Sequence, residues 1–541
     1  MKDISSTGSF VDFTLENFIY VDKTVYIPQL VKLKRVFISR PRRFGKSLTL
    51  DTIATLFETG VEPYFKGTWI YDKWTEPTYP VLRLNFLDLD KYSLEHFKQK
   101  LNAIISSFAR DINVKNYEEK VEPEDTIYFL LDELRKEKRQ IVILIDEYDC
   151  QMTANINNET LYKQFQEKIK SFYANIKDKF AIKFLGITGV TRLKDVAIFS
   201  VGSDINDITN DSAYSQMIGF TRDEIKKYYI DYLKLASSYE NNCSVDDVTD
   251  TQLESMLDMM AQNYDGYCFD EDYEKKVFST WSVNKFFQTM IEKKKVQFGE
   301  YWYDNGGLPS ILVNYLKTHE LNIFEYLDKD KFLKVSSDDF KNPTALTTIN
   351  QNVLMCQTGY LTLRSDLNKT STVALGIPNG EIYKALNRLL ANNIFKGNTD
   401  ITDDYGRSLL EVGTVDDIIN LFNSALNSVS YDNYPIVSES SVQNMLKLYL
   451  LGAHQEVLSE VHEAKGRADL VVNTDNRRIV FEFKYAKNEA EAKSKLSEAV
   501  EQIKTRDYGN ILPKKNELIR IAAVFNADPK VRAFTENQIV P

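Results

Sequence analysis

Arg35-Val36-Phe37-Ile38-Ser39 runs directly into Arg40-Pro41-Arg42-Arg43-Phe44-Gly45-Lys46-Ser47. The first stretch reads as a short buried strand and the second as a tight turn that opens a helix. A phosphate-binding turn needs backbone N–H groups aimed inward and a helix N-terminus behind them. Gly45 lets the backbone approach phosphate oxygens, Lys46 supplies a cation for the β- and γ-phosphates, and Ser47 a hydroxyl for Mg²⁺. The usual pattern begins with a glycine where this chain has Arg40, so the turn is a variant. Arg40, Arg42 and Arg43 make it strongly cationic, which suits an anionic ligand.

A second apolar run, Ile141-Val142-Ile143-Leu144-Ile145, ends in Asp146-Glu147. At such a strand end Asp146 is expected to hold Mg²⁺ through water, and Glu147 to orient and deprotonate the attacking water. A third run, Lys183 to Ile187, ends in Thr188-Gly189-Val190-Thr191-Arg192. Thr188 is the candidate sensor of the γ-phosphate and Arg192 a candidate transition-state cation. The expected strands are 35–39, 80–86, 141–145 and 182–187. A helix follows the phosphate turn to about Glu58. Another helix presents Leu161, Phe165, Ile169, Phe172 and Ile176 on one face. Strands separated by helices imply a parallel sheet covered on both sides, an α/β architecture. The strand at 80–86, between the two nucleotide motifs, points to the P-loop subclass that carries an extra strand.

The bulk numbers frame these motifs. At 541 residues the chain exceeds one hydrophobic core, and its 43% hydrophobic and 27% charged composition is that of a globular protein. Its four cysteines, Cys150, Cys243, Cys268 and Cys356, are far apart, which speaks against a disulfide framework or a zinc ribbon. With no signal-like N-terminus and no long apolar run, the expectation is a cytoplasmic protein with no membrane span. A net charge of −11 excludes a generally basic nucleic-acid binder, so any such contact is local. Residues 1–209 read as the nucleotide core and 210–430 as a helical lid and connecting region. The turn signals there are Asn263–Tyr267, Asn305-Gly306-Gly307 and 397–400.

A third segment, 431–541, restarts with a helix at Glu439. Strands 467–473 and 478–485 follow, joined by the turn Thr474–Arg477, then a helix at about 489–505 and a strand from Ile519 to Phe525. Asp469 lies on the first strand; Glu482 and Lys484, two apart, share a face of the second. Two carboxylates converging on one spot repel unless a cation sits between them, and oxygen ligands suit Mg²⁺ or Mn²⁺. A lysine beside them positions a water, which is the chemistry of metal-assisted phosphodiester hydrolysis. His96, His319, His454 and His462 have no metal-ligand spacing, and Glu460 and Glu463 are left without a role.

Residues 1–300 resemble the AAA-ATPase-like family of prokaryotic proteins, through Arg40–Ser47, Tyr20-Val21-Asp22-Lys23-Thr24, Ile145–Asp149 and Thr188–Leu193. The resemblance implies that Arg40 in place of glycine is a family trait, and implies ATP binding more firmly than rapid turnover. Residues 435–530 resemble the PD-(D/E)XK nuclease superfamily, with Ala468-Asp469 and Glu482-Phe483-Lys484 as its motif. By that resemblance Glu439 is an additional metal contact, and Gln502 and Tyr508 belong to an element near the scissile strand. The combined expectation is an ATP- and Mg²⁺-dependent enzyme with a nuclease-like domain acting on nucleic acid, DNA foremost. A homo-oligomer is compatible with it. The alternative is a nucleotide-gated switch whose C-terminal fold binds DNA or a partner without cutting.

Overall fold

A computed structural model of the chain describes residues 1–176, 180–193, 204–302, 310–316, 319, 323–343, 345–395, 406–453, 455–463, 466–510 and 514–541. The turn signals at Asn305–Gly307 and 397–400 and the side chains of Glu460, His462 and Glu463 lie outside the described residues, as does His454. The chain packs as two units: Met1–His319 with Phe332–Ile382, and Glu320–Lys331 with Tyr383–Pro541.

The first unit is built on strands β1 (Arg35–Ser39), β2 (Val81–Asn85), β3 (Ile141–Asp146), β4 (Ile182–Gly189) and β5 (Asn206–Asp207), in the order β2-β3-β4-β1-β5. Every pairing is parallel. β4 separates β1 from β3, so the phosphate turn and the acidic strand end sit one strand apart. β1 is buried throughout, as is β3 up to Asp146. That is why both read as unbroken apolar runs rather than alternating ones. Burying a side chain such as Phe37 or Ile143 contributes about 1.5–3 kcal/mol.

The helix Lys46–Thr59 starts from Gly45, which is left-handed at φ 102°. A residue with a Cβ is strained there, so glycine is dictated by the turn. The helix Glu159–Asn175 buries Phe165, Ile169 and Phe172, but Tyr162 takes the place expected of Leu161, which is only half-buried.

The stretch 210–300 is helical as expected. Helices Ile230–Asn241, Asp250–Tyr264 and Thr280–Lys293 share a core that includes Tyr229, Leu233, Met256, Met260, Phe286 and Phe287. Ile19 and Val21 from the N-terminal segment join that core. Further on, the connecting region adds strands to its helices. Strands β6 (Leu333–Ser336), β7 (Thr362–Leu363) and β8 (Thr372–Gly376) form a sheet ordered β6-β8-β7. Strands of two to five residues are too short for a period to register in the sequence. With helices Ser310–Leu316, Ser337–Lys341 and Gln351–Thr358 they have the connectivity of a winged helix. Its third helix buries Asn352, Val353, Leu354, Met355 and Thr358.

The second unit carries β9 (Glu456–Glu463), β10 (Gly466–Asn473), β11 (Arg477–Ala486), β12 (Glu517–Asn526) and β13 (Ala533–Ile539), ordered β13-β12-β11-β10-β9. β11 and β12 are parallel; the other pairs are antiparallel. β9 and β13 were not expected from the sequence. The helix Glu489–Arg506 covers one face through Ala499, Val500 and Ile503, packed with Val480 and Ala522. On the other face Phe422, Phe481, Phe483 and Phe534 form a ring cluster. Phe422 belongs to the helix Val415–Asn427, which lies N-terminal to the boundary expected at 431 yet packs on this sheet.

Candidate functional site

The first site gathers at the C-terminal ends of β1, β3 and β4. The Ser47 hydroxyl donates to Asp146 Oδ2 at 2.6 Å, and Glu147 N donates to Asp146 Oδ1 at 2.9 Å. The Thr188 hydroxyl also donates to Asp146 Oδ1. Asp146 is thereby fixed from three directions, including the sensor position. Lys46 is 5% exposed. Its Nζ donates to the carbonyls of Arg40 and Pro41 at 3.0 and 3.1 Å, and lies 3.9 Å from Glu147 Oε1. The ammonium therefore props open the loop it belongs to. Burial raises the Glu147 carboxyl above its ordinary range; Lys46 opposes the rise, and Asp149 and Asp146 add to it. A carboxyl raised towards neutrality is suited to general-base work.

A cavity of about 490 Å³ opens on this loop. Arg42, Gly45, Lys46, Ser47 and Glu147 line one part, while Ile19, Ile27, Leu30, Phe220 and Trp281 supply an apolar part. Arg43 also lines it, with its guanidinium 4.1 Å from the Trp281 ring centroid. The sequence reading missed the apolar wall. Its signal in the sequence is the aromatic N-terminal stretch around Tyr20.

Two expectations need correction. Arg192 does not line the large cavity: it is paired with Asp207, donates to the Lys341 carbonyl, and borders a separate cavity of about 40 Å³. Arg40 does not contribute to the cationic face of the loop either. It is 1% exposed and donates to the carbonyls of Ser39 and Thr209 at 2.9 and 2.6 Å. Cys150, beside the second motif, is a buried thiol pushed up to about 11 by desolvation, and so stays protonated.

In the second unit the register pairs Leu470 with Phe481, which places Asp469 beside Glu482 across the hairpin. Asp469 Oδ2 accepts from Phe483 N at 2.8 Å. Glu482 is fully buried. Lys484 Nζ donates to Glu482 Oε1 at 2.9 Å and to Glu439 Oε1 at 3.3 Å. Glu439, Asp469, Glu482 and Lys484 thus come together, Glu439 from the first turn of the helix Glu439–Gly452. Burial, then the neighbouring Asp469, raises the Glu482 carboxyl to about 7; Asp469 is raised too, chiefly by burial. Glu482 Oε2 is buried without a hydrogen-bond partner among the described residues. A naked carboxylate oxygen facing a second carboxylate fits a divalent cation. Among the described residues no ready-made group of three or more metal-binding side chains exists, so water would complete the shell of a hard ion.

Gln502 and Tyr508 are near one another, with Gln502 Nε2 3.5 Å from Tyr508 Oη. Between them in sequence, Arg506 donates to the same phenol at 2.7 Å, and Glu482 and Asp469 support its charge. The sequence reading passed over this arginine. His96 lies near Asp90 and His319 stacks on Tyr315, away from either site's ligands.

Residues 5–199 match the family described as predicted AAA-ATPase, and residues 437–535 match the PD-(D/E)XK nuclease superfamily. The chain carries an AAA-ATPase-like domain and a PD-(D/E)XK-superfamily domain. The AAA-ATPase-like match spans Lys46, Asp146 and Thr188, and the PD-(D/E)XK match spans Glu439, Asp469, Glu482 and Lys484. An uncharacterized protein in the vnfD 5′ region of Azotobacter chroococcum mcd 1 is 26% identical over 533 residues, 95% of this chain and 94% of that protein. Among solved structures, the Walker-type ATPase PABY2304 of Pyrococcus abyssi aligns at 12% identity over 67% of this chain and 94% of its own, with a TM-score of 0.35. The Aeropyrum pernix ORC1 protein in complex with DNA aligns at 9% identity over 71% and 97%, with a TM-score of 0.27. No helix among the described residues is long and apolar enough to cross a membrane.

Proposed function

We propose that the protein binds and hydrolyses ATP at the first site and cleaves nucleic acid, DNA foremost, at the second, under nucleotide control. The observation that carries the reading is the pair Asp469 and Glu482 side by side across the hairpin, with the orphaned Oε2 of Glu482 and the Lys484 ammonium bonded to Glu482 and Glu439. Such a site suits an anionic, metal-bridged substrate.

In the first site Lys46 exchanges its two carbonyl partners for phosphate oxygens, and the N-terminus of the helix Lys46–Thr59 adds main-chain donors. Ser47 and Asp146 are the residues to hold Mg²⁺, which when bound neutralises charge developing on the phosphates. Glu147 accepts a proton from the water whose oxygen bonds to the γ-phosphorus as the bond to the β-phosphate oxygen breaks. The apolar part of the cavity suits a nucleobase.

In the second site Glu439, Asp469 and Glu482 are the residues to hold Mg²⁺ or Mn²⁺. Lys484 orients the attacking water and offsets charge at the scissile phosphate, and Arg506 stands at the end of the adjoining helix, held by the buried Tyr508 phenol. The test is Mg²⁺- or Mn²⁺-dependent cleavage of plasmid and single-stranded DNA, with and without ATP. Cleavage by the wild type that is lost in Asp469→Ala supports the reading. Metal and DNA binding without cleavage would favour the switch that binds and does not cut.

A further inference from the structure

Arg42 stands in the middle of the phosphate turn, between β1 and the helix Lys46–Thr59. It lines the large cavity together with Gly45, Lys46, Ser47 and Glu147. Its carbonyl accepts from the indole Nε1 of Trp302 at 3.2 Å, and the next carbonyl, that of Arg43, accepts from the Thr280 hydroxyl at 2.9 Å. Trp302 is wholly buried, so the main chain beneath Arg42 is held from behind. The Arg42 guanidinium itself makes no hydrogen bond and no ion pair among the described residues. The other arginines around the turn are engaged elsewhere. Arg40 is bonded to the Ser39 and Thr209 carbonyls, Arg43 lies over the Trp281 ring, and Arg192 is paired with Asp207.

Lys46 Nζ lies 3.9 Å from Glu147 Oε1, so a γ-phosphoryl group and its attacking water enter between those two side chains. Burial raises the Glu147 carboxyl; Lys46 opposes the rise most, and Arg42 adds to that opposition. The Cys150 thiol, raised chiefly by burial, feels Arg42 in the same sense. A charge felt at the base is also felt at the phosphorus that the base's water attacks, because Coulomb energy falls only as the inverse of distance. Two cations converging on one cavity repel until an anion comes between them.

We propose that Arg42 is a catalytic residue of the first site, a transition-state cation supplied by the same chain that binds the ATP. The assignment rests on ATP hydrolysis at that site. As the water oxygen bonds to the γ-phosphorus, the bond to the β-phosphate oxygen breaks and its electron pair stays on that oxygen. Glu147 takes the water's proton. The Arg42 fork donates to the γ-phosphoryl oxygens and offsets the charge that builds there, keeping all of its own protons. An arginine in this role acts in cis or in trans, and its place on the phosphate turn makes it cis here.

The test uses the full-length protein with ATP and Mg²⁺. Arg42→Ala should lower kcat by about 10³–10⁵-fold while the Kd for ATP changes little. ADP with aluminium fluoride, a mimic of the transferred phosphoryl group, should bind the wild type tightly and lose that tightness in Arg42→Ala. Arg42→Lys keeps the charge and loses the planar fork, so its rate should fall between the two; it decides where the alanine variant fails to fold. Mixing Arg42→Ala with Lys46→Ala protein should restore nothing, since each chain supplies its own arginine. A wild-type rate in either Arg42 variant, a loss of rate that only follows lost ATP binding, or activity regained on mixing overturns the proposal. A wild type that binds ATP and never hydrolyses it overturns the reading of the first site as well, whereas activity surviving in Arg42→Ala overturns this assignment alone.

Discussion

Glu147 sits at a left-handed φ of 51°, directly after the acid that Ser47 and Thr188 hold. That turn of the backbone carries its carboxyl to within 3.9 Å of Lys46 Nζ. Glu147→Gln keeps the shape and removes the base. Phosphate release should fall by about 10²–10⁴-fold while ATP binding persists, read by steady-state assay and equilibrium titration. Lys46→Ala should abolish binding itself. At the second site the expected effect is one of pH. Glu482 titrates at about 7 when folded, well above the ordinary carboxylate range it has when unfolded. Between the two the folded state keeps a proton that the unfolded state has released. Metal-free stability therefore falls as pH rises through that window, and the loss is complete above about 7. Glu482→Gln should flatten this slope in thermal unfolding. Metal binding needs the bare carboxylate, so Mn²⁺ affinity should drop by about tenfold per pH unit below that value, measured by calorimetry.

At the level of elements, the end of β4 is where close packing decides most. A Cβ on Gly189 would collide with the Tyr148 ring and with Asp149 Oδ1. Asp149 in turn accepts from Thr191 N and Oγ1, and Tyr148 is wholly buried. Gly189→Ala should cost about 1–3 kcal/mol of stability, read as a lowered denaturation midpoint, and should disturb the strand end that carries Thr188. The parallel sheet was legible in the sequence because β1 and β3 are buried on both faces and so carry the unbroken apolar runs Val36–Ile38 and Ile141–Ile145. The hairpin of β10 and β11 was legible because Thr474–Arg477 breaks two long runs. β6 to β8 were not, since so few residues cannot show a period. Arg40 and Arg192 misled for a different reason: a charge pattern gives the residue but not the side of the loop it faces. The apolar wall of the nucleotide cavity is assembled from segments some 200 residues apart, and no local pattern encodes such a meeting.

For the whole molecule, each unit has its own core and its own candidate ligand. Calorimetry should resolve two unfolding transitions. ATP with Mg²⁺ should raise one of them, and Mn²⁺ at neutral pH the other, because a ligand stabilises only the body that holds it. In Asp469→Ala the Mn²⁺ shift should vanish and the ATP shift remain. The second unit is also discontinuous along the chain. Glu320–Lys331 belongs to it although residues 332–382 do not. Ile323, Tyr326 and Leu327 from that short stretch are buried, and the Leu327 carbonyl accepts the Tyr383 hydroxyl at 2.9 Å. A protein engineer who transplants residues 383–541 alone would leave behind part of the wall that Tyr383 leans on. The nuclease-like body is no detachable cassette; a working chimera has to carry both stretches, stitched together across the gap left by residues 332–382.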